Sequence, residues 1–120
     1  MTIVRCEGWW EQPEFGRQTM TDLTIRFDGA SLLGSGVDLL GPFTLRGSIQ
    51  DDRVAILKSY VGQHDVEYLG QYDGEGVLRG HWRIFPIENG GEWLIRVIDV
   101  HSGESEREIH EWNPADDGGP

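Results

Sequence analysis

Apolar and polar residues alternate along most of the first hundred positions, in short runs separated by Gly, Asp and Asn. Strict alternation is typical of strands with one buried face, and short strands with turn residues between them are typical of all-β sandwiches and barrels. The alternation predicts eight strands, over residues 3–11, 20–28, 31–38, 42–50, 53–61, 65–72, 76–85 and 92–100.

Most links between the predicted strands are short, and short links imply antiparallel neighbours. Eight strands joined in this way can close into a barrel and so leave no unpaired edge. We therefore expect an all-β fold, an eight-stranded antiparallel up-and-down barrel that forms one domain over residues 1–100. No apolar period of helical spacing is sustained in this part of the chain, which argues against helical bundles.

The predicted turns assign a common inward face to the strands. A two-residue turn at 51–52 places Lys58 on the apolar face of its strand, and a three-residue turn at 62–64 sets Val66 against Tyr60. Because a slip of one residue turns a whole strand inside out, the agreement among the strands supports the barrel.

Lys58 is the only lysine in the chain, and its inward position is unusual because a buried charge is costly unless it is paired. A turn at 29–30 sets Thr21 against Asp38, so that Asp38 also faces the interior. A partly buried Lys and Asp offset each other's desolvation, and tyrosine hydroxyls can complete such a network. The candidate ligand-binding residues are Lys58, Asp38, Tyr60, Tyr68, Tyr72 and Trp82.

Several inward positions are glycines, among them Gly36, Gly47 and Gly70. These glycines either permit the tight coiling of a small barrel and make room for large aromatic side chains, or they leave a hollow. An eight-stranded barrel is just wide enough to be filled by side chains or to hold one small ligand. The sequence leaves both alternatives open.

The chain carries 10 basic and 21 acidic residues, a net charge of −11 with neutral histidines. Nucleic acids and anionic membranes attract cationic surfaces, so we expect neither as a partner. Cys6 is the only cysteine, which excludes an internal disulfide and favours a reducing, cytoplasmic location. No stretch has the roughly 20 apolar residues of a membrane-spanning helix and no secretion signal is found, so a soluble protein is expected.

The four histidines, His64, His81, His101 and His110, match no metal-binding spacing, and zinc-finger and EF-hand patterns are absent from the sequence. We therefore predict no metal and no cofactor. Cys6 falls on the apolar face of its strand, which favours an inert packed thiol over a nucleophile. No catalytic residue is predicted.

Residues 101–120 differ from the barrel in composition, with six acidic residues and one arginine. Ile109 and Trp112 lie three positions apart and allow one helical turn, which Asn113-Pro114 would end. We predict a short acidic C-terminal tail that is partly disordered.

Two short motifs resemble the avidin and streptavidin family of calycin-type barrels. The segment GWWEQ at 8–12 is similar to the family's opening Gly-x-Trp-x-Asn, and Gly-Gln-Tyr at 70–72, followed by Trp82, is similar to its Gly-Gln-Tyr and later Trp. The resemblance implies an eight-stranded barrel, a structural Trp10 and a pocket-lining Trp82. Gln12 stands where the family has Asn and the biotin contacts are poorly matched, so the resemblance does not extend to biotin.

Three functional hypotheses follow. In the first, a small, mostly apolar molecule binds at one barrel mouth and is oriented by Lys58, Asp38 and the aromatic side chains. In the second, the barrel is filled and the protein is a non-enzymatic interaction or assembly protein. Its subunit interface is then formed by outward apolar residues, which are Leu33, Ala55, Leu57, Val61 and Leu69.

A homo-oligomer is expected under either of these hypotheses. In the third, the protein is an enzyme in which Lys58 has a lowered pKa and forms a Schiff base. Since no acid or base motif accompanies Lys58, an enzyme is the least favoured of the three.

Overall fold

The computed structural model describes residues 2–84 and 89–100. Strands account for nearly all of these residues. They are β1 (Thr2–Gln12), β2 (Gly16–Asp28), β3 (Ser31–Asp38), β4 (Gly41–Gln50), β5 (Arg53–Tyr60), β6 (Asp65–Tyr72), β7 (Val77–Ile84) and β8 (Asn89–Val100).

The eight strands form one closed antiparallel sheet in chain order, because β1 pairs with β8 as well as with β2. The predicted all-β, up-and-down barrel is confirmed. Successive links alternate between the two ends of such a barrel. We refer to the end that carries the β1–β2, β3–β4 and β5–β6 links as the upper end, and to the opposite end as the lower end.

The side chains that the alternation directs inward form the core of the barrel. Buried apolar residues come from every strand, and several of the largest are aromatic. The rings of Trp93 and Tyr68 have centroids 5.0 Å apart, and Trp10 meets Trp82 edge to face at 5.9 Å. Such aromatic pairs stabilise a core beyond the area that they bury.

The inward glycines allow close packing. Gly70 and Gly80 face each other across β6 and β7, and a Cβ on either would overlap the backbone of the neighbouring strand. At Gly36 a Cβ would lie 2.7 Å from Cζ of Phe43, whose ring fills that space. At these positions glycine therefore permits close strand approach or makes room for a large side chain.

The expected inward orientation of Thr21 is wrong. Asp22 adopts a left-handed conformation with a φ of 52°, and the β2–β3 register shifts beside it. This β-bulge pairs Thr21 with Val37 instead of Asp38 and turns Thr21 outward. Met20 takes the inward position and is buried.

The predicted pairing of Val66 with Tyr60 is also wrong, by two residues. The connecting loop begins one residue earlier than expected, since the amide of Tyr60 donates to the carbonyl of His64 at 3.2 Å. Val66 consequently faces Lys58 across the β5–β6 pair. Because the offset is two residues, each side chain stays on its predicted face.

The predicted tail at 101–120, with its expected helical turn, lies outside the described residues. In the parts of the chain that the structure describes, no helix has the length and apolar character needed to cross a membrane.

The β4–β5 turn contains two non-glycine residues with positive φ, Asp51 at 50° and Asp52 at 65°. Positive φ at both central residues identifies a type I′ turn, whose twist matches that of a two-residue hairpin. Aspartate tolerates this conformation better than most residues, but glycine adopts it without steric conflict.

We expect Asp52→Gly to stabilise the barrel by about 1 kcal/mol, because glycine relieves the left-handed strain. Thr24→Gly, at an exposed position within β2, is the control and should destabilise the barrel, since glycine weakens a strand interior. Urea unfolding followed by tryptophan fluorescence measures both effects. A loss of stability in Asp52→Gly would contradict the proposed strain.

Candidate functional site

Lys58 lies on β5 and points into the barrel, as the alternation predicts. Its side chain is 0% exposed. The ammonium Nζ donates to Oδ2 of Asp38 at 2.6 Å and to the hydroxyl oxygen of Tyr68 at 3.1 Å. A third contact is made with Sδ of Met20 at 3.6 Å. The charged group thus finds three partners inside the protein.

Asp38 ends β3 at the upper end of the barrel, and its carboxylate accepts four hydrogen bonds. Oδ2 accepts from Nε1 of Trp10 at 3.0 Å and from the hydroxyl of Tyr60 at 2.7 Å, in addition to Lys58. Oδ1 accepts from the amide of Leu40 at 2.9 Å. The carboxylate therefore joins β1, β3, β5 and the β3–β4 link through charge-assisted bonds.

Aromatic rings surround the ammonium group. Nζ of Lys58 lies 4.2 Å from the ring centroid of Phe43 and 4.8 Å from that of Tyr60. The rings of Tyr68 and Trp10 follow at 5.3 and 5.6 Å. All four distances fall within the range of cation–π attraction, which is strongest where water is excluded. We refer to these residues as the lysine cluster, which consists of Trp10, Met20, Asp38, Phe43, Lys58, Tyr60 and Tyr68.

Burial and charge shift the acid–base behaviour of the lysine cluster. Burial lowers the pKa of Lys58 to about 8, while the hydrogen bond and the negative charge of Asp38 oppose this shift. Burial also raises the pKa of Tyr60 and of Tyr68 well above the usual tyrosine value, and the charge of Asp38 adds to the rise. Both hydroxyl groups therefore stay protonated at neutral pH.

Four of the six candidate ligand-binding residues meet in the lysine cluster, and two lie outside it. Trp82 touches the cluster through the ring of Trp10, and its Nε1 donates to the carbonyl of Glu11 at 2.9 Å. Tyr72 lies at the lower end, where its hydroxyl accepts from the amide of Gly76 at 3.2 Å. Tyr72 is thus separated from the other candidates.

Three members of the lysine cluster were not predicted to be site residues. Trp10 and Phe43 have the inward parity that alternation indicates, but alternation does not reveal the hydrogen bond from Trp10 to Asp38 across non-adjacent strands. Met20 was not identified because no turn residue in the sequence marks the bulge beside Asp22 that brings it inward.

The lysine cluster is separate from the two best-formed surface depressions. The larger has a volume of about 1200 Å³ and the smaller of about 380 Å³, and no member of the cluster lines either of them. A fully buried lysine has no direct path to a dissolved carbonyl compound. The geometry therefore favours a structural ion pair over Schiff-base chemistry at Lys58.

Other chemically active side chains are dispersed. Within residues 2–84 and 89–100, no three His, Cys, Asp or Glu side chains are placed to hold a metal ion. Cys6 is buried, and its burial raises the thiol pKa to about 12, which disfavours the nucleophilic thiolate. His64 lies against Tyr60 with ring centroids 5.3 Å apart, and His81 is exposed.

Comparison with known proteins gives no assignment: no protein-family model, no curated protein and no solved structure matches the chain.

The ion pair can be tested by removing one partner and then both. Lys58→Met leaves the carboxylate of Asp38 buried without its cation, so we expect a loss of about 3–5 kcal/mol in the free energy of unfolding. The double variant Lys58→Met/Asp38→Asn removes both charges and should recover about 2 kcal/mol or more of that loss. Urea titrations of Lys58→Met, of Asp38→Asn and of the double variant measure the coupling between the two residues.

The control for the lysine position is Ile56→Met, an inward residue of the same strand. A volume-conserving apolar exchange of this kind should cost less than about 1.5 kcal/mol. Additive effects of the two charge-removing substitutions would show that Lys58 and Asp38 do not stabilise each other.

The lowered pKa of Lys58 predicts a pH dependence of stability. Folded Lys58 loses its proton near pH 8, whereas the unfolded side chain keeps its proton up to about 10.5. Between these values the unfolded state binds more protons, so the desolvation penalty is relieved and the free energy of unfolding rises with pH. Cys6 opposes this trend above pH 9, because its pKa is raised from 9.0 to about 12 on folding.

A rise in stability is therefore expected between pH 8 and 9, measured by urea unfolding at both values. The double variant Lys58→Met/Asp38→Asn lacks the titrating group and should lose this rise. The same rise in the variant would assign the pH dependence to another group.

Proposed function

We propose that the chain is a non-enzymatic assembly protein, a filled barrel that pairs with a second copy of itself through the outer face of β3 to β6. The supporting observation is that the Lys58 and Asp38 side chains are both 0% exposed and bind each other. An ion pair that solvent does not reach suits a structural role in the barrel interior. Contacts with a partner would then be made by the outer surface.

The outer face of β3 to β6 carries the apolar residues that such an interface needs. Leu33, Leu57 and Leu69 are 46%, 42% and 37% exposed, and Ala55 and Val61 are exposed as well. Large apolar side chains on neighbouring strands are typical of surfaces that become buried on association.

Two charged residues on this face can pair reciprocally between copies, although one of them, Glu67, is also bound within its own chain by Arg83 of β7 at 2.5 Å. In one cross-strand row Arg46 of β4 and Glu67 of β6 stand on either side of Leu57. A two-fold axis parallel to β5 at Leu57 would place Arg46 of each copy opposite Glu67 of the other. Interfaces between two identical copies require this kind of reciprocal match.

The resemblance to avidin-type barrels agrees with this proposal, because barrels of that family associate face to face. The features that support the resemblance are the closed eight-stranded barrel and its inward Trp10. A buried Cys6 also fits the reducing compartment that we propose as the location.

A second candidate function is the binding of a small apolar molecule at the upper end. It is favoured by exposed apolar residues around the links of that end, where Leu39 and Val61 are each 63% exposed and Leu40 is 37% exposed. In this proposal the ligand contacts the apolar rim, and Lys58 and Asp38 contribute only if the rim opens.

Dimerisation can be tested by reversing and then exchanging the two charges. Arg46→Glu and Glu67→Arg should each weaken association tenfold or more, which corresponds to about 1.4 kcal/mol, because like charges then face each other. The exchanged variant Arg46→Glu/Glu67→Arg, with Arg83→Glu added to keep the ion pair between β6 and β7, restores opposite charges and should recover most of the affinity. Sedimentation equilibrium measures the dissociation constants.

Thr24→Glu, an exposed position on β2 away from this face, is the control and should leave association unchanged. A monomeric wild-type chain at micromolar concentration would contradict the dimer, and so would an exchanged variant that stays monomeric. Native mass spectrometry of the wild type, purified from its host, tests both proposals. A dimer mass supports assembly, and a retained small molecule supports ligand binding at the upper end.

A further inference from the structure

The larger surface depression is a groove of about 1200 Å³ across the outer side of the barrel. One row of its residues runs from strand to strand: Arg53 faces Gln71, which faces Arg79, which faces Leu94. Trp9 of β1 continues the row beside Leu94. We refer to this depression as the arginine groove.

Arg53 and Arg79 are cations whose charges the barrel leaves unbalanced. Neither forms an ion pair with any residue in 2–84 or 89–100, although the chain has 21 acidic and only 10 basic residues. Because strands lie about 4.8 Å apart, the two residues stand about 10 Å apart on either side of Gln71. Guanidinium groups bind carboxylates through strong, charge-assisted hydrogen bonds.

Two acidic residues also line the groove, Asp51 in the β4–β5 turn and Glu92 on β8. The cationic part of the groove is therefore the stretch between Arg53 and Arg79. An occupant that suits it must place its negative charges there.

The segment that follows β8 has the matching charge. Residues 101–120 contain six acidic residues and one arginine. Glu104, Glu106 and Glu108 occupy alternate positions. In an extended chain alternate residues share one face and repeat about every 6.6 Å, so these three carboxylates would present one acidic edge.

The same segment is long enough to reach the groove. β8 ends at Val100, six residues beyond Leu94 of the groove, which is about 20 Å along the strand. Twenty extended residues span up to about 66 Å. A chain that turns back after Val100 therefore has ample length to lie over Arg79 and Arg53.

We propose that the acidic segment 101–120 docks in the arginine groove of its own chain, with the carboxylates of Glu104, Glu106 and Glu108 bound by Arg53 and Arg79. This docking would satisfy the two unpaired cations and cover the apolar surface beside them. The groove shares Ala55 and Leu69 with the face of the proposed dimer. Its charged residues differ from Arg46 and Glu67, however, so the charge-reversal variants of the two proposals test them separately.

A spin label in the full-length chain tests the docking. Ser105→Cys provides the attachment site between two of the glutamates, and Cys6 is buried and so protected from the reagent. We expect the label to broaden the amide resonances of Arg53, Arg79 and Leu94. In 1 M salt, where the screening length is about 3 Å, the broadening should be lost.

The variant Arg53→Glu/Arg79→Glu should also lose the broadening, while the control Arg26→Glu, an exposed arginine on β2, should keep it. Broadening that is absent from the groove, or that survives the double reversal, would overturn the proposal. A mixture of labelled chains with isotope-enriched, unlabelled chains, both carrying Arg46→Glu to weaken the proposed dimer, gives the remaining outcome. Broadening in this mixture would overturn docking within one chain and assign the groove to the segment of a second copy.

Discussion

The pairing of one buried ammonium group with one buried carboxylate constrains the whole upper half of the barrel. Lys58 must meet Asp38, and Asp38 in turn collects donors from Trp10 and Tyr60. A slip of two residues between strands would keep every apolar side chain inside, but it would move the lysine away from its partner. We infer that the apolar core determines which face of each strand points inward. The ion pair determines the register, that is, how far the strands are shifted along one another.

This division explains which features of the fold could be predicted. The alternation of apolar and polar residues gave the eight strands and their inward faces, because the side-chain period of a strand is two. The alternation could not detect the bulge at Asp22, because the positive φ of this residue leaves no mark in the pattern of apolar and polar positions. It also could not place the loop before His64, since two registers that differ by two residues bury the same side chains.

The sequence predicted those members of the candidate site that their charge or chemistry identifies. It could not predict the position of a residue along the barrel axis. Lys58 was conspicuous as the only lysine on an inward face, and the electrostatic argument that a buried charge needs a partner indicated Asp38. Tyr72 points inward from β6 like Tyr68, yet it lies at the lower end of the barrel. Alternation predicts whether a side chain points inward, but it does not predict where along the barrel axis the side chain lies. The arginine groove depends on the curvature of the outer surface, for which the sequence has no comparable signal.

The antiparallel pairing of the first strand, β1, with the last strand, β8, closes the barrel and sets Trp10 opposite Trp93. During biosynthesis the first strand therefore leaves the ribosome long before the strand that covers it. Until then its free backbone groups are available to any other strand, including that of another nascent chain. A pause in synthesis before β8 would leave the edge of β1 unpaired for longer, so the strand that closes this barrel is also the one that protects it from pairing with other chains.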